Sequence, residues 1–222
     1  MDDRPTPMPL SLLVLCTLYG GMVTIAGVLG AKQVAIGPLA VEAGIFAFLL
    51  LVAISSAITR LYGERTGQLM VRLGFIPLVV AIVLTWVVLS LPPDAGMYPP
   101  AVEAFPVILG QSWRLMAAGI VAYGVSVTLN VAVFAKLLTR LQGWPGTAGF
   151  IAAALSQIVD TFLFITIAFY GVRPVGELYV GQMIAKVVLS AVLVPLVIRF
   201  FLWLSARIDA PAISASNGAG DR

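Results

Sequence analysis

The sequence predicts an all-α fold: a polytopic membrane protein with six transmembrane helices in one bundle. Three observations carry that expectation. The chain is 60% hydrophobic and only 10% charged, with a mean hydropathy of +1.05, far more apolar than an average soluble domain. Six apolar runs each approach the ~20 residues that a helix needs to cross the hydrocarbon of a bilayer. Most of the thirteen lysines and arginines fall in the short segments between those runs, as expected of loops beside a membrane.

Taken in order, residues 1–9 form a polar, proline-rich, cytoplasmic N-terminal segment. Span 1, residues 10–30, is too long for the apolar core of a cleaved signal peptide and reads as a retained helix. Its small residues Gly20, Thr24, Gly27 and Ala31 allow a neighbouring helix to approach one face closely. Span 2 covers residues 38–59, with Glu42 about one turn inside its start. It ends at Arg60-Leu61-Tyr62-Gly63-Glu64-Arg65, a charged turn in which Gly63 suits a helix stop. Span 3, residues 73–91, carries no charge. Residues 92–113 contain Pro92, Pro93, Pro99, Pro100 and Pro106, which disfavour a continuing helix. The apolar part of that connection, from Val102 to Gln111, suits a segment on the membrane surface, a cover over an opening, or a solvated loop. Span 4, residues 115–135, begins after Arg114, an interface anchor, and is left through Lys136 and Arg140. Span 5 is residues 147–170, and span 6 is residues 178–198 with Lys186 roughly two turns inside. The transmembrane domain therefore occupies residues 10–204, and the Ser/Gly/Ala-rich residues 205–222 form a disordered cytoplasmic tail.

Composition also narrows the chemistry. The chain has no histidine, which removes histidine metal sites, Ser–His and Cys–His nucleophile pairs and histidine proton relays. Its single cysteine, Cys16, lies inside span 1 and reads as a packing residue. There is no Gly-rich phosphate loop, so the chain does not itself hydrolyse ATP. The expectation is a protein that is not an enzyme, with no cofactor and no metal. The net charge of +3 reports membrane topology rather than a nucleic-acid partner.

The segment Ser156-Gln157-Ile158-Val159-Asp160-Thr161-Phe162-Leu163-Phe164 sits in the middle of span 5. A carboxylate at the centre of a membrane helix costs roughly 2.5–3.5 kcal/mol on insertion scales, so Asp160 is expected to face a polar interior rather than acyl chains. Residues three and four apart share a helix face, which aligns Gln157, Asp160 and Phe164, with Ser156 one turn before Asp160. The bland alternative is an acid that merely fixes helix packing. Span 4 echoes the pattern at an offset of 30: Ser126, Asn130 and Phe134 correspond to Ser156, Asp160 and Phe164. Consecutive spans run in opposite directions, and inverted elements meeting near mid-membrane are one way to build a solute site. At ~1.5 Å rise per residue, Lys186 of span 6 reaches a depth compatible with Asp160, as a functional partner, a structural lock or a side chain snorkelling outward. The candidate substrate-binding residues are Asp160, Gln157, Asn130, Ser126, Ser156, Glu42, Lys186, Tyr123 and Phe164.

Leu61-Tyr62-Gly63-Glu64-Arg65, Gly110-Gln111-Ser112-Trp113-Arg114, Ala122-Tyr123, Ser156-Gln157-Ile158-Val159-Asp160-Thr161, Ala168-Phe169-Tyr170-Gly171 and the segment from Lys186 to Pro195 together resemble the queuosine-precursor transporter family, also described as vitamin uptake transporters. The likeness covers about residues 20–200 and is most specific at Ser156–Thr161. It implies a six-helix protein of a bacterial-type inner membrane that imports a 7-deazaguanine base such as preQ0 or preQ1. The sequence departs from the family pattern at Gly27 and Ala31, where asparagines are usual, and at Ser56, Val127, Asn130 and Ala148-Gly149. The alternative is a substrate-binding subunit for a vitamin-like molecule that relies on a separate energising complex, docked through the small residues of span 1. The implied partners are a small planar solute and the lipid bilayer, with a homo-oligomer or energising subunits as further possibilities.

Orientation follows from the basic residues. Arg4, Arg60, Arg65, Arg72, Lys136, Arg140, Arg199, Arg207 and Arg222 fall on the side holding both termini, against Lys32, Arg114, Arg173 and Lys186 on the other. The excess marks the cytoplasm. A reporter fused to the C-terminus is therefore expected to register a cytoplasmic location, and an external signal would overturn the topology.

Overall fold

The computed structural model describes residues 8–37, 39–110, 113–141, 144–171 and 176–219. The segment 1–7 and the positions Pro38, Gln111, Ser112 and Arg173 lie outside the described residues, as does the side chain of Arg114. The elements in order are α1 (Leu10–Gly30), β1 (Gln33–Ile36), β2 (Leu39–Glu42), α2 (Gly44–Tyr62), α3 (Glu64–Ser90), α4 (Pro99–Leu109), α5 (Trp113–Arg140), α6 (Pro145–Phe169) and α7 (Gly176–Ala219). Among the described residues, six helices are long and apolar enough to span a membrane: α1, α2, α3, α5, α6 and α7. The all-α, six-span expectation holds. We call the end where α1 begins and α7 finishes proximal and the opposite end distal.

Helix α2 is the axis of the bundle. Two-thirds (67%) of its apolar window is buried by protein, against 6% for α3. It packs against α1, α3, α5, α6 and α7, and its middle turns are built from Ala53, Ser55, Ser56 and Ala57, all fully buried. Small side chains let helix backbones come close where no hydrophobic force separates protein from lipid. Helix α3 turns most of its surface outward and touches the bundle through a narrow strip at Gly67, Met70, Val71 and Gly74. A Cβ on Gly74 would lie 2.7 Å from Tyr19 Cε1 and 2.8 Å from the Tyr123 hydroxyl, and one on Gly67 would collide with Thr59 Oγ1. A Cβ on Gly149 of α6 would meet Ile198 of α7 in the same way.

Four details depart from the sequence reading. First, the start of span 2 is a hairpin. Strands β1 and β2 pair antiparallel from Gln33 with Glu42 to Ile36 with Leu39, around a turn in which Gly37 has φ +59°, a conformation glycine adopts freely. Glu42 therefore ends a strand instead of sitting inside a helix. Second, α3 begins at Glu64 and so carries Glu64, Arg65 and Arg72. Only Gly63, at φ +86°, separates it from α2. Arg60 in the last turn of α2 and Glu64 in the first turn of α3 each suit the local helix dipole. Third, residues 99–109 form a helix despite their prolines. Pro99 and Pro100 occupy the first turn, whose N–H groups have no intrahelical partner anyway. Fourth, the last helix, expected to end near residue 198, runs on to Ala219. Ser205 is buried, and Asp209 accepts hydrogen bonds from the Ser11 amide (3.1 Å) and hydroxyl (2.5 Å). Ser11 also bonds to Tyr62. The proximal ends of α1, α2 and α7 are thus joined by polar contacts.

The strip on α3 yields a stability test. Gly74→Ala forces a methyl group against two buried rings, an overpacking cost of about 1–3 kcal/mol. The melting temperature of the detergent-solubilised variant should fall measurably, whereas an unchanged value would mean that α3 is free to move away.

Candidate functional site

The bundle encloses a cavity of about 490 Å³, within the usual range for small-molecule sites. Its walls come from the distal halves of the spans. They come from one face of each element: of α1 from Val23 to Gly30 and Ala31 just after it, of α2 between Gly44 and Leu51, of α3 between Leu78 and Thr85 and of α5 between Met116 and Tyr123, together with Glu42 at the end of β2 and Val107, Ile108 and Leu109 of α4. Asp160, Phe164 and Lys186 complete the lining. Most of the wall is aliphatic or aromatic, and charge is confined to Glu42, Asp160 and Lys186. Helix α4 thus contributes Val107, Ile108 and Leu109 to the cavity wall.

The floor is an ion pair. Lys186 Nζ lies 3.1 Å from Asp160 Oδ2, and the Ser126 hydroxyl donates to Asp160 Oδ1 at 3.2 Å. Asp160 is 8% exposed and Lys186 6%, so the two charges meet where little solvent reaches either. Three helices, α5, α6 and α7, converge on this one carboxylate. Tyr123 also faces the cavity and is held from behind: its hydroxyl bonds to that of Tyr19 at 2.6 Å, and Phe75 meets its ring edge-on at 5.1 Å. Gly124 makes room for Phe75, since a Cβ there would lie 2.7 Å from the ring tip.

Of the nine expected substrate residues, five line the cavity: Asp160, Lys186, Glu42, Tyr123 and Phe164. The other four, Ser126, Asn130, Ser156 and Gln157, are fully buried in the layer proximal to the floor. Ser126 supports Asp160. Asn130 Nδ2 donates to Ser55 Oγ (3.1 Å) and Ser56 Oγ (3.3 Å) of α2. Ser156 donates to the carbonyl of Ala153 within its own helix. The sequence reading passed over Thr24, Phe48, Thr85 and Met116 as lining residues. Nothing in their local pattern marks them, because the cavity depends on which helix faces meet. The small residues Thr24, Gly27 and Ala31 line the cavity, and a Cβ on Gly20 would lie 3.8 Å from Pro77 of α3. The small face of α1 is therefore turned inward.

The echo between spans 4 and 5 has a structural counterpart. Helices α5 and α6 pack together more extensively than any other pair of elements. Residues 122–131 and 152–161 follow the same succession of buried, half-buried and exposed positions, residue for residue over ten positions. Ser126 of one copy bonds to Asp160 of the other. Among the described residues, no cluster of three or more metal-ligating side chains occurs.

A family model described as "Putative vitamin uptake transporter" matches residues 42–200. The chain belongs to this family. The match takes in every cavity-lining element from Glu42 onward, including the Asp160–Lys186 floor. No curated protein and no solved structure matches the chain. A multi-pass membrane protein of a vitamin-type uptake family, with the Asp160–Lys186 ion pair at the floor of a largely apolar cavity, is what sequence and fold jointly establish.

The floor can be tested independently of any solute. Removing one member of a buried ion pair leaves an uncompensated charge, worth about 3–5 kcal/mol, whereas replacing both members is often close to neutral. Asp160→Asn and Lys186→Met should each lower the melting temperature, and the double variant should recover most of the loss. Additive losses in this cycle would mean that the pair is not coupled.

Proposed function

We propose that this protein imports a queuosine precursor, a 7-deazaguanine base of the preQ0 or preQ1 type, across a bacterial-type inner membrane, with both termini in the cytoplasm and no catalysis. The observation that carries the reading is the Asp160–Lys186 pair at the floor of the cavity. A guanine-type edge presents a carbonyl acceptor beside two donors, N1–H and the exocyclic amine. The Asp160 carboxylate, with lone pairs left after its bonds to Lys186 and Ser126, accepts the donors, and the Lys186 ammonium, which has three N–H groups, donates to the carbonyl. The apolar walls suit the faces of a planar ring, with Phe164 and Tyr123 available for stacking. An aminomethyl cation on the base would favour the side bearing Glu42.

The reading of the chain as a subunit of an energised complex draws less support. Its docking surface was to be the small residues of span 1, and three of these line the cavity. Import by the chain alone is therefore the preferred form of the proposal.

Binding is best measured in a protein whose charges remain balanced, which the double variant Asp160→Asn/Lys186→Met provides. Loss of the acceptor and donor pair leaves mismatched polar groups worth about 1–3 kcal/mol each, so affinity for 7-deazaguanine should fall tenfold or more. Uptake of the same base by purified wild-type protein in vesicles without an ATPase should be measurable and absent from the double variant. Intact affinity in a stably folded double variant would remove Asp160 and Lys186 from the site.

A further inference from the structure

The cavity stops at Leu51, Tyr123 and Asp160, yet polar residues continue on the same three helices beyond it. One turn further toward the proximal side, α2 carries Ser55 and Ser56 and α6 carries Ser156 and Gln157; α5 carries Ser126 and, one turn deeper again, Asn130. All six are fully buried. Among the described residues, neither amide atom of Gln157 has a hydrogen-bond partner, and Asn130 Oδ1 has none either. Buried amides are almost always paired, so each exception calls for a reason. A leucine of similar size would fill the position of Gln157 without leaving a polar group unsatisfied. A polar solute admitted to this layer, or a second arrangement of the helices, would supply the partners that these groups lack here.

We propose that Ser55, Ser56, Asn130 and Gln157 form a second, proximal station for the transported solute, closed in this structure and reached when α2 parts from α5 and α6 at the proximal end. The inference rests on reading the distal cavity as the outer half of a transport path. What holds the proximal half shut is separable: the hydrogen bonds from Asn130 to Ser55 and Ser56, the seat of Gly67 against Thr59 and Val131, and the Ser11–Tyr62–Asp209 contacts at the proximal end. The chemistry of the station is amide and hydroxyl only. It complements the donors and acceptors of a planar amide-like edge without the charges of the distal floor. A solute held there is bound more weakly than at Asp160, as release to the far side requires, since a path must bind well enough to fill and weakly enough to empty.

The station can be probed without knowing the solute. The single cysteine is removed as Cys16→Ser, and full-length protein in vesicles is treated with a thiol reagent that cannot cross the membrane. Gln157→Cys and Ser56→Cys are expected to react from the proximal side only, and Thr24→Cys, on the cavity wall, from the distal side only. Thiols at 157 and 56 that stay unreactive from the proximal side, or that react from the distal side, overturn the proposal. A second measurement uses Gln157→Leu, which should fold at least as well as wild type, bind 7-deazaguanine within about twofold of wild type and transport it about tenfold more slowly or worse. Unchanged uptake, or an affinity that falls in step with uptake, overturns the assignment. Should wild-type protein bind no deazaguanine, the reading of Asp160 fails while the labelling result still decides the station.

Discussion

A negative charge in the middle of a bilayer must be compensated within the protein, and the arrangement of this bundle follows from how Asp160 is compensated. Its carboxylate draws Lys186 from α7 and Ser126 from α5, so three helices are tied at one depth. Neither charge would be stable alone at this burial. The pair does not by itself make the protein stable, because desolvating two ions offsets much of their attraction. What it fixes is register: α6 and α7 cannot slide past one another without parting the charges, and α5 cannot rotate without losing its bond to the carboxylate. The cavity lies on the distal side of this tie, and the polar layer proximal to it is fully buried.

Close packing in the bundle depends on residues that lack side chains. Gly67 and Gly74 seat α3, Gly124 accepts Phe75, and Gly149 accepts Ile198. Each close approach positions a larger group elsewhere. With α3 drawn in at Gly74, Tyr19 and Tyr123 meet and bond across the bundle, and Tyr123 is thereby presented to the cavity at a fixed angle. The site is thus shaped by glycine positions that touch no solute. Substitutions at these positions are expected to act on the cavity through the helix spacing that they set.

The bilayer makes much of the fold legible in sequence, because any spanning segment must satisfy its backbone internally and present apolar side chains over its whole length. Six spans, the anomalous carboxylate and a feasible partner in Lys186 are all readable for that reason. The hairpin at residues 33–42 was not, since two paired four-residue strands add little to the hydropathy of a neighbouring helix and read as its first turn. The helical segment beyond residue 198 was hidden for a different reason. Asp209 looks like tail composition until Ser11, nearly two hundred residues away, supplies its partner. The candidate site was legible in azimuth but not in depth. Helical periodicity places Gln157 and Asp160 on one face, yet only the packing of α2 against α5 and α6 determines that the cavity ends between them.

The ten-residue agreement in burial between α5 and α6 gives this difference in depth a meaning. Two segments of opposite direction with the same pattern of buried faces make their interface alike when viewed from either side of the membrane, as in inverted-repeat architectures. Their chemistry is not alike: one copy carries Asp160, the other Asn130 at the matching position. The charged copy faces the open distal cavity, and the neutral copy lies in the closed proximal layer, bonded to α2. Such a pair of halves offers two related surfaces of unequal strength along one path. The inequality comes from a single atom pair, carboxylate against amide, placed on a backbone arrangement that treats both positions in the same way.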